Sequence, residues 1–108
     1  MSKHNARNLT FVFYADPGHA WLGIKRQLLL QYPKAALAIS NHSYQRGQTV
    51  YLEEDCDAGL FLAALRAANE RFMVVAKHDG NQRSPIRSYD VFALTEDEMT
   101  SISRRASA

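Results

Sequence analysis

The sequence predicts one small α+β domain. Three observations carry that expectation. Short runs rich in β-branched and aromatic residues recur along the chain, one longer segment spaces its apolar residues as a helix does, and turn residues separate them. The expected architecture is a mostly antiparallel sheet of four or five strands, with two helices on one face and a short C-terminal helix. A flexible segment over 1–8 precedes a domain over 9–94, and a short helix with a frayed tail occupies 95–108. At 108 residues, 46% of them hydrophobic and 22% charged, the chain has the size and composition to build one core.

Residues 9–14 are almost wholly apolar and β-prone, which reads as a strand buried on both faces. Asp16-Pro17-Gly18 makes a turn, since proline presets φ and glycine accepts positive φ. Residues 20–24 read as the returning strand. Residues 26–32 are strong helix formers, and Pro33 ends the run because it pushes its predecessor out of the α region. Residues 34–40 favour no element. Residues 43–45 and 49–52 flank Arg46-Gly47-Gln48 and read as a hairpin with a three-residue loop.

The clearest helix spans 58–69. Asp57 is its expected N-cap, and Phe61, Ala64, Leu65 and Ala68 form its core stripe. Residues 72–76 read as another buried strand, 78–84 as a polar loop, and 85–92 as a last edge strand. Thr95 and Glu98 make a capping box, opening a helix through Ile102 that carries Met99 on the same side.

Several function classes are disfavoured at once. A formal net charge of +2 is mildly basic and does not make nucleic acid the default partner. One cysteine cannot form an intrachain disulfide, the opening residues lack the apolar run of a secretory signal, and no stretch is long and apolar enough for a membrane helix. A cytoplasmic protein without membrane contact is expected.

Four strings carry a resemblance: Asp16-Pro17-Gly18-His19-Ala20-Trp21-Leu22, Ser43-Tyr44, Tyr51-Leu52-Glu53-Glu54-Asp55-Cys56-Asp57-Ala58, and Pro85-Ile86-Arg87-Ser88-Tyr89. Together they resemble a group of small uncharacterised proteins encoded by bacteriophages, prophages and plasmids of Gram-negative bacteria. The resemblance covers residues 11–92 and departs at Ala20, where the group has glycine. It implies no activity and no cofactor. What it implies is context: an accessory protein of a mobile element that binds host machinery, of which anti-defence (anti-CRISPR-like) inhibitors are one kind.

The residues themselves leave three readings. Glu53, Glu54, Asp55 and Asp57 read as helix-start chemistry, as an acidic patch meeting a host protein or ribonucleoprotein complex, or as carboxylates for Mg²⁺. The dehalogenase-like metal pattern fails because Glu53 and Glu54 interrupt the apolar approach to Asp55, and the EF-hand pattern fails because Gly59 comes one position early. Arg46, Arg83, Arg87 and Tyr89, with Tyr44, suit a nucleic-acid face on which rings stack against bases and arginines meet phosphates.

A small metal-dependent hydrolase would use Asp55, Asp57 and a histidine. His4, His19, His42 and His78 lack metal-ligand spacing, although His19 and His78 can converge with Asp16 or Asp55. Cys56 reads as a buried structural cysteine, and Trp21 as a core anchor. The leading expectation is a non-enzymatic binder, with nucleic-acid binding as the alternative.

Overall fold

The computed structural model describes residues 8–78 and 80–107. The expected flexible segment 1–8, apart from Asn8, lies outside the described residues, as does Ala108. The fold is α+β, and its sheet has six strands rather than four or five. In chain order the elements are β1 (Leu9–Ala15), β2 (Ala20–Lys25), α1 (Arg26–Leu30), α2 (Pro33–Ala38), β3 (Tyr44–Arg46), β4 (Thr49–Glu53), α3 (Asp57–Ala67), β5 (Phe72–His78), a 3-10 turn (Pro85–Ser88), β6 (Asp90–Val91) and α4 (Glu96–Ser107).

The strand order is β5-β1-β2-β4-β3-β6. Pairing is antiparallel throughout except between β1 and β5, which run parallel, so the sheet is mixed. Alternation along each strand sends one residue parity toward the helices. Phe11, Leu22, Ile24, Val50 and Leu52 meet Leu28, Leu29, Ala36, Ala58, Phe61, Leu65 and Ile102 there, in one core. Every described helix contributes to that core on the same side of the sheet. The other side carries none of these α-helices; the segment of Arg87 and Tyr89 lies over part of it and the rest is open.

Several local expectations change for physical reasons. β1 is buried on one face only, because Phe11 enters the core while Val12 and Tyr14 face the open side, half-buried. β5 is not a buried strand: it lies at the sheet edge, with Met73 65% and Val75 49% exposed. Pro33 ends α1 and also opens α2, where its missing N–H costs nothing at the first helical position. The β3–β4 loop has two residues, since Arg46 already pairs with Thr49. Gly47 takes φ 58° at its first position, as a II′-type hairpin turn assigns to glycine.

α3 begins at Asp57 itself. Cys56 is its N-cap and makes no side-chain capping bond. The helix ends with Asn69 at φ 60°, while the N–H of Asn69 donates to Arg66 O and that of Glu70 to Leu65 O, a Schellman closure. The predicted last strand is mostly the 3-10 turn, and only Asp90–Val91 pairs, at the edge beside β3. The capping box forms as expected, with Glu98 N–H donating to Thr95 Oγ1 and Thr95 N–H to Glu98 Oε1. α4 runs on past Ile102 to Ser107; Ile102 is buried, and Met99 stays exposed.

Candidate functional site on the open sheet face

Register places the side chains of the open face in rows across the strands. One row runs Lys77, Tyr14, Trp21, Glu53; the next runs Val75, Val12, Gly23, Tyr51, Tyr44, Val91. Gly23 is the gap in the second row. A Cβ built there would stand 2.8 Å from Tyr14 Cε2, so the glycine lets the Tyr14 ring lie across β2 toward β4. Tyr14 and Tyr51 then meet with ring centroids 5.9 Å apart, and Tyr51 meets Tyr89 at 5.3 Å.

Cations close both ends of this tyrosine row. Lys77 Nζ lies 6.0 Å from the Tyr14 ring, and the Arg46 guanidinium lies 4.9 Å from that of Tyr89. Lys25, Arg46 and Lys77 are exposed, while the three rings are half-buried, each edge-on or tilted to its neighbour. Burial, then the neighbouring Tyr89 and Tyr14, push the Tyr51 phenol above its ordinary range, so its ring is a neutral hydroxyl-bearing surface at physiological pH.

Beside the row lies a cleft of about 450 Å³, lined by Trp21, Tyr44, His19, His42, Asp55, Arg87 and their neighbours. Trp21 is its buried wall, as expected of an anchor, with Tyr44 edge-on at 6.1 Å and the Arg87 guanidinium 5.4 Å from its ring. Arg87 is held there by Asp16. Its Nε donates to Asp16 Oδ2 at 2.6 Å and its Nη2 to Oδ1 at 2.8 Å. Gly18 leaves room for the guanidinium, since a Cβ would come within 2.8 Å of Nη2. Asp16 also accepts from the backbone N–H groups of Gly18, His19 and Ser84. The Arg87 guanidinium, then the Ser84 amide, hold its carboxyl far below the usual carboxylate range.

The acidic turn divides. Asp57 is buried, not a cap: its Oδ2 accepts from Ser40 N–H, Ser40 Oγ at 2.7 Å and Ser43 Oγ at 2.6 Å. Glu53 turns back on its own loop and accepts from the N–H groups of Asp55 and Cys56. Burial raises the Glu53 carboxyl pKa, but those backbone donors outweigh it and the net shift is downward. Glu54 and Asp55 remain exposed, Asp55 at the rim of the cleft. Cys56 is exposed rather than buried.

Of the basic and aromatic candidates, Arg46, Arg87, Tyr89 and Tyr44 come together on the open face. Arg83 lies to one side of them, in a groove that it shares with Arg87, Asp16, Pro17, Gly18 and Asn81. Asp55 and Asp57 point to different surroundings and share no site. Among the described residues, no three His, Cys, Asp or Glu side chains are grouped so as to hold a metal ion. Sequence reasoning missed Tyr14, Tyr51, Gly23 and Lys77, although the i, i+2 spacing of Val12, Tyr14 and Thr49, Tyr51 already marks one strand face. Comparison with protein-family models, curated proteins and solved structures gives no match. No described helix is long and apolar enough to cross a membrane.

Proposed function

We propose that this chain is a non-catalytic binding protein that meets another macromolecule with the open face of its sheet. The observation that carries the reading is the row Lys77–Tyr14–Tyr51–Tyr89–Arg46, assembled from five chain segments on a face that the described helices leave uncovered. Tyrosine and arginine are the residues that dominate recognition surfaces, because each offers large contact area together with a polar handle.

The acids best placed for chemistry are already engaged. Asp16 serves Arg87 and three backbone amides, Asp57 serves two serines, and Glu53 serves its own turn. Such carboxylates position structure and leave little for proton transfer. Glu54 and Asp55 stay at the rim, where charge guides approach more than it adds affinity. The resemblance to proteins of mobile elements supplies the setting, an accessory protein whose target is a component of the bacterial host.

Affinity capture from bacterial lysate tests the reading, comparing the wild type with Arg46→Glu/Tyr89→Ala and with Glu54→Ala/Asp55→Ala. A stoichiometric partner that survives the acidic-turn variant and is lost with the sheet-face variant is the expected result. Retention by the sheet-face variant moves the contact elsewhere.

A further inference from the structure

The sheet face is uniform in a way that narrows its partner. Among its described strand residues the exposed charges, Lys25, Arg46 and Lys77, are all cationic, while Asp55 stands off the strands at the rim of the neighbouring cleft. The one carboxylate of that parity among the described strand residues, Glu53, is turned into its own loop by two backbone donors. Asp90 pairs with Gln45 on the opposite parity, so its side chain leaves from the other face. Arg87 is neutralised by Asp16 and adds no free charge. What remains is three tyrosine rings in a row, with a cation against each outer ring and a third, Lys25, on the same face.

We infer that this face binds single-stranded nucleic acid, its bases stacking on Tyr14, Tyr51 and Tyr89 while Lys25, Arg46 and Lys77 meet phosphates. The inference rests on the sheet face being the contact surface, and it adds the chemical class of the partner. Rings flanked by basic side chains on a sheet are the arrangement that unpaired bases require, since every base has a π-face and every nucleotide a phosphate. A duplex buries those faces in its own stack, so it cannot use the rings. An acidic peptide would match the cations and leave the ring row unused.

Fluorescence anisotropy with labelled twelve-nucleotide U and dT oligomers at several salt concentrations tests this, with a duplex of the same length and poly-glutamate as comparison ligands. Three phosphate contacts predict a slope of log K against log salt of about −2 for single strands. Arg46→Ala or Lys77→Ala should flatten that slope by about 0.7 each. Tyr89→Leu should weaken binding roughly tenfold with the slope unchanged, while Tyr89→Phe, which keeps the ring, should bind as the wild type does. A matched thermal melt shows that each variant is folded, and Tyr51→Leu supplies an independent site.

The duplex should bind at least tenfold more weakly. Absence of saturable oligomer binding at low salt, or equal binding of duplex or poly-glutamate, overturns the nucleic-acid assignment. If the sheet-face variant still loses its captured partner in that case, the contact surface stands and only the partner class falls. If oligomers bind but neither ring variant matters, both the assignment and the surface fall.

Discussion

Removing the Asp57 carboxylate would leave the hydroxyls of Ser40 and Ser43 and the Ser40 amide without their acceptor, in a site where the aspartate is 1% exposed. Losing one partner of a buried charged hydrogen-bond set costs far more than the set contributes net, because the stranded groups stay desolvated. Asp57→Ala should therefore lower unfolding free energy by about 3 kcal/mol. Glu54→Ala and Asp55→Ala, three and two residues away but in solvent, should each fall within about 0.5 kcal/mol of wild type. Urea denaturation of the three variants checks the contrast; equal losses would mean that Asp57 is not the post around which the turn is organised. Sequence alone presents the four acids as one run. Only the fold separates them, since the serines that claim Asp57 lie 14 and 17 residues earlier.

Between elements, Arg26 is the hub. Its guanidinium donates from Nε and Nη2 to both Glu98 oxygens at 2.8 and 2.7 Å, from Nη1 to Gln45 Oε1, and from Nη2 to Ala93 O, while lying 5.3 Å from the Phe92 ring. It thus joins the β2–α1 junction, β3 and the first turn of α4. The hydrogen bonds from Arg26 draw the Glu98 carboxyl down from 4.5 to about 2. A carboxylate depressed in the folded state adds stability that is complete above its unfolded value and fades as pH falls through its folded value. The stability gap between wild type and Glu98→Gln should accordingly be about 2 kcal/mol at neutral pH and shrink between pH 4.5 and about 2. Chemical denaturation across that range measures it; a gap independent of pH would show that the Arg26 pairing contributes nothing. The capping box of α4 was legible because its partners lie three residues apart. Arg26 was not, because Glu98 follows it by 72 residues.

For the whole molecule, the exposed edge decides behaviour in solution. Among the described residues β5 pairs only with β1, and Met73, Val74 and Val75 are 65%, 39% and 49% exposed. An apolar edge strand offers unpaired backbone donors and acceptors to another chain, which charged residues normally discourage. Light scattering should show concentration-dependent self-association that Val75→Lys reduces without lowering thermal stability. Identical scattering by the two proteins would show that this edge is not the sticky one. Val75 shares the face of the tyrosine row, so self-association through β5 and binding on the sheet can be separated by testing Val75→Lys in both measurements.

The chain's own pattern of apolar residues, turn formers and caps determined the α+β class, the positions of β1, β2, β3 and β4, the long α3 and the capped start of α4. These follow from forces acting over a few residues: backbone preference, local hydrogen bonding and alternation. The tertiary structure alone decided that β5 runs parallel to β1 at an edge and that Asp57 turns inward. It also brought Tyr14, Tyr51 and Tyr89 into one row, Tyr14 reaching its neighbour across the bare backbone of Gly23. Those outcomes depend on strand register and packing between distant segments, where a side chain's neighbours are set by the assembled core and not by its position in the chain.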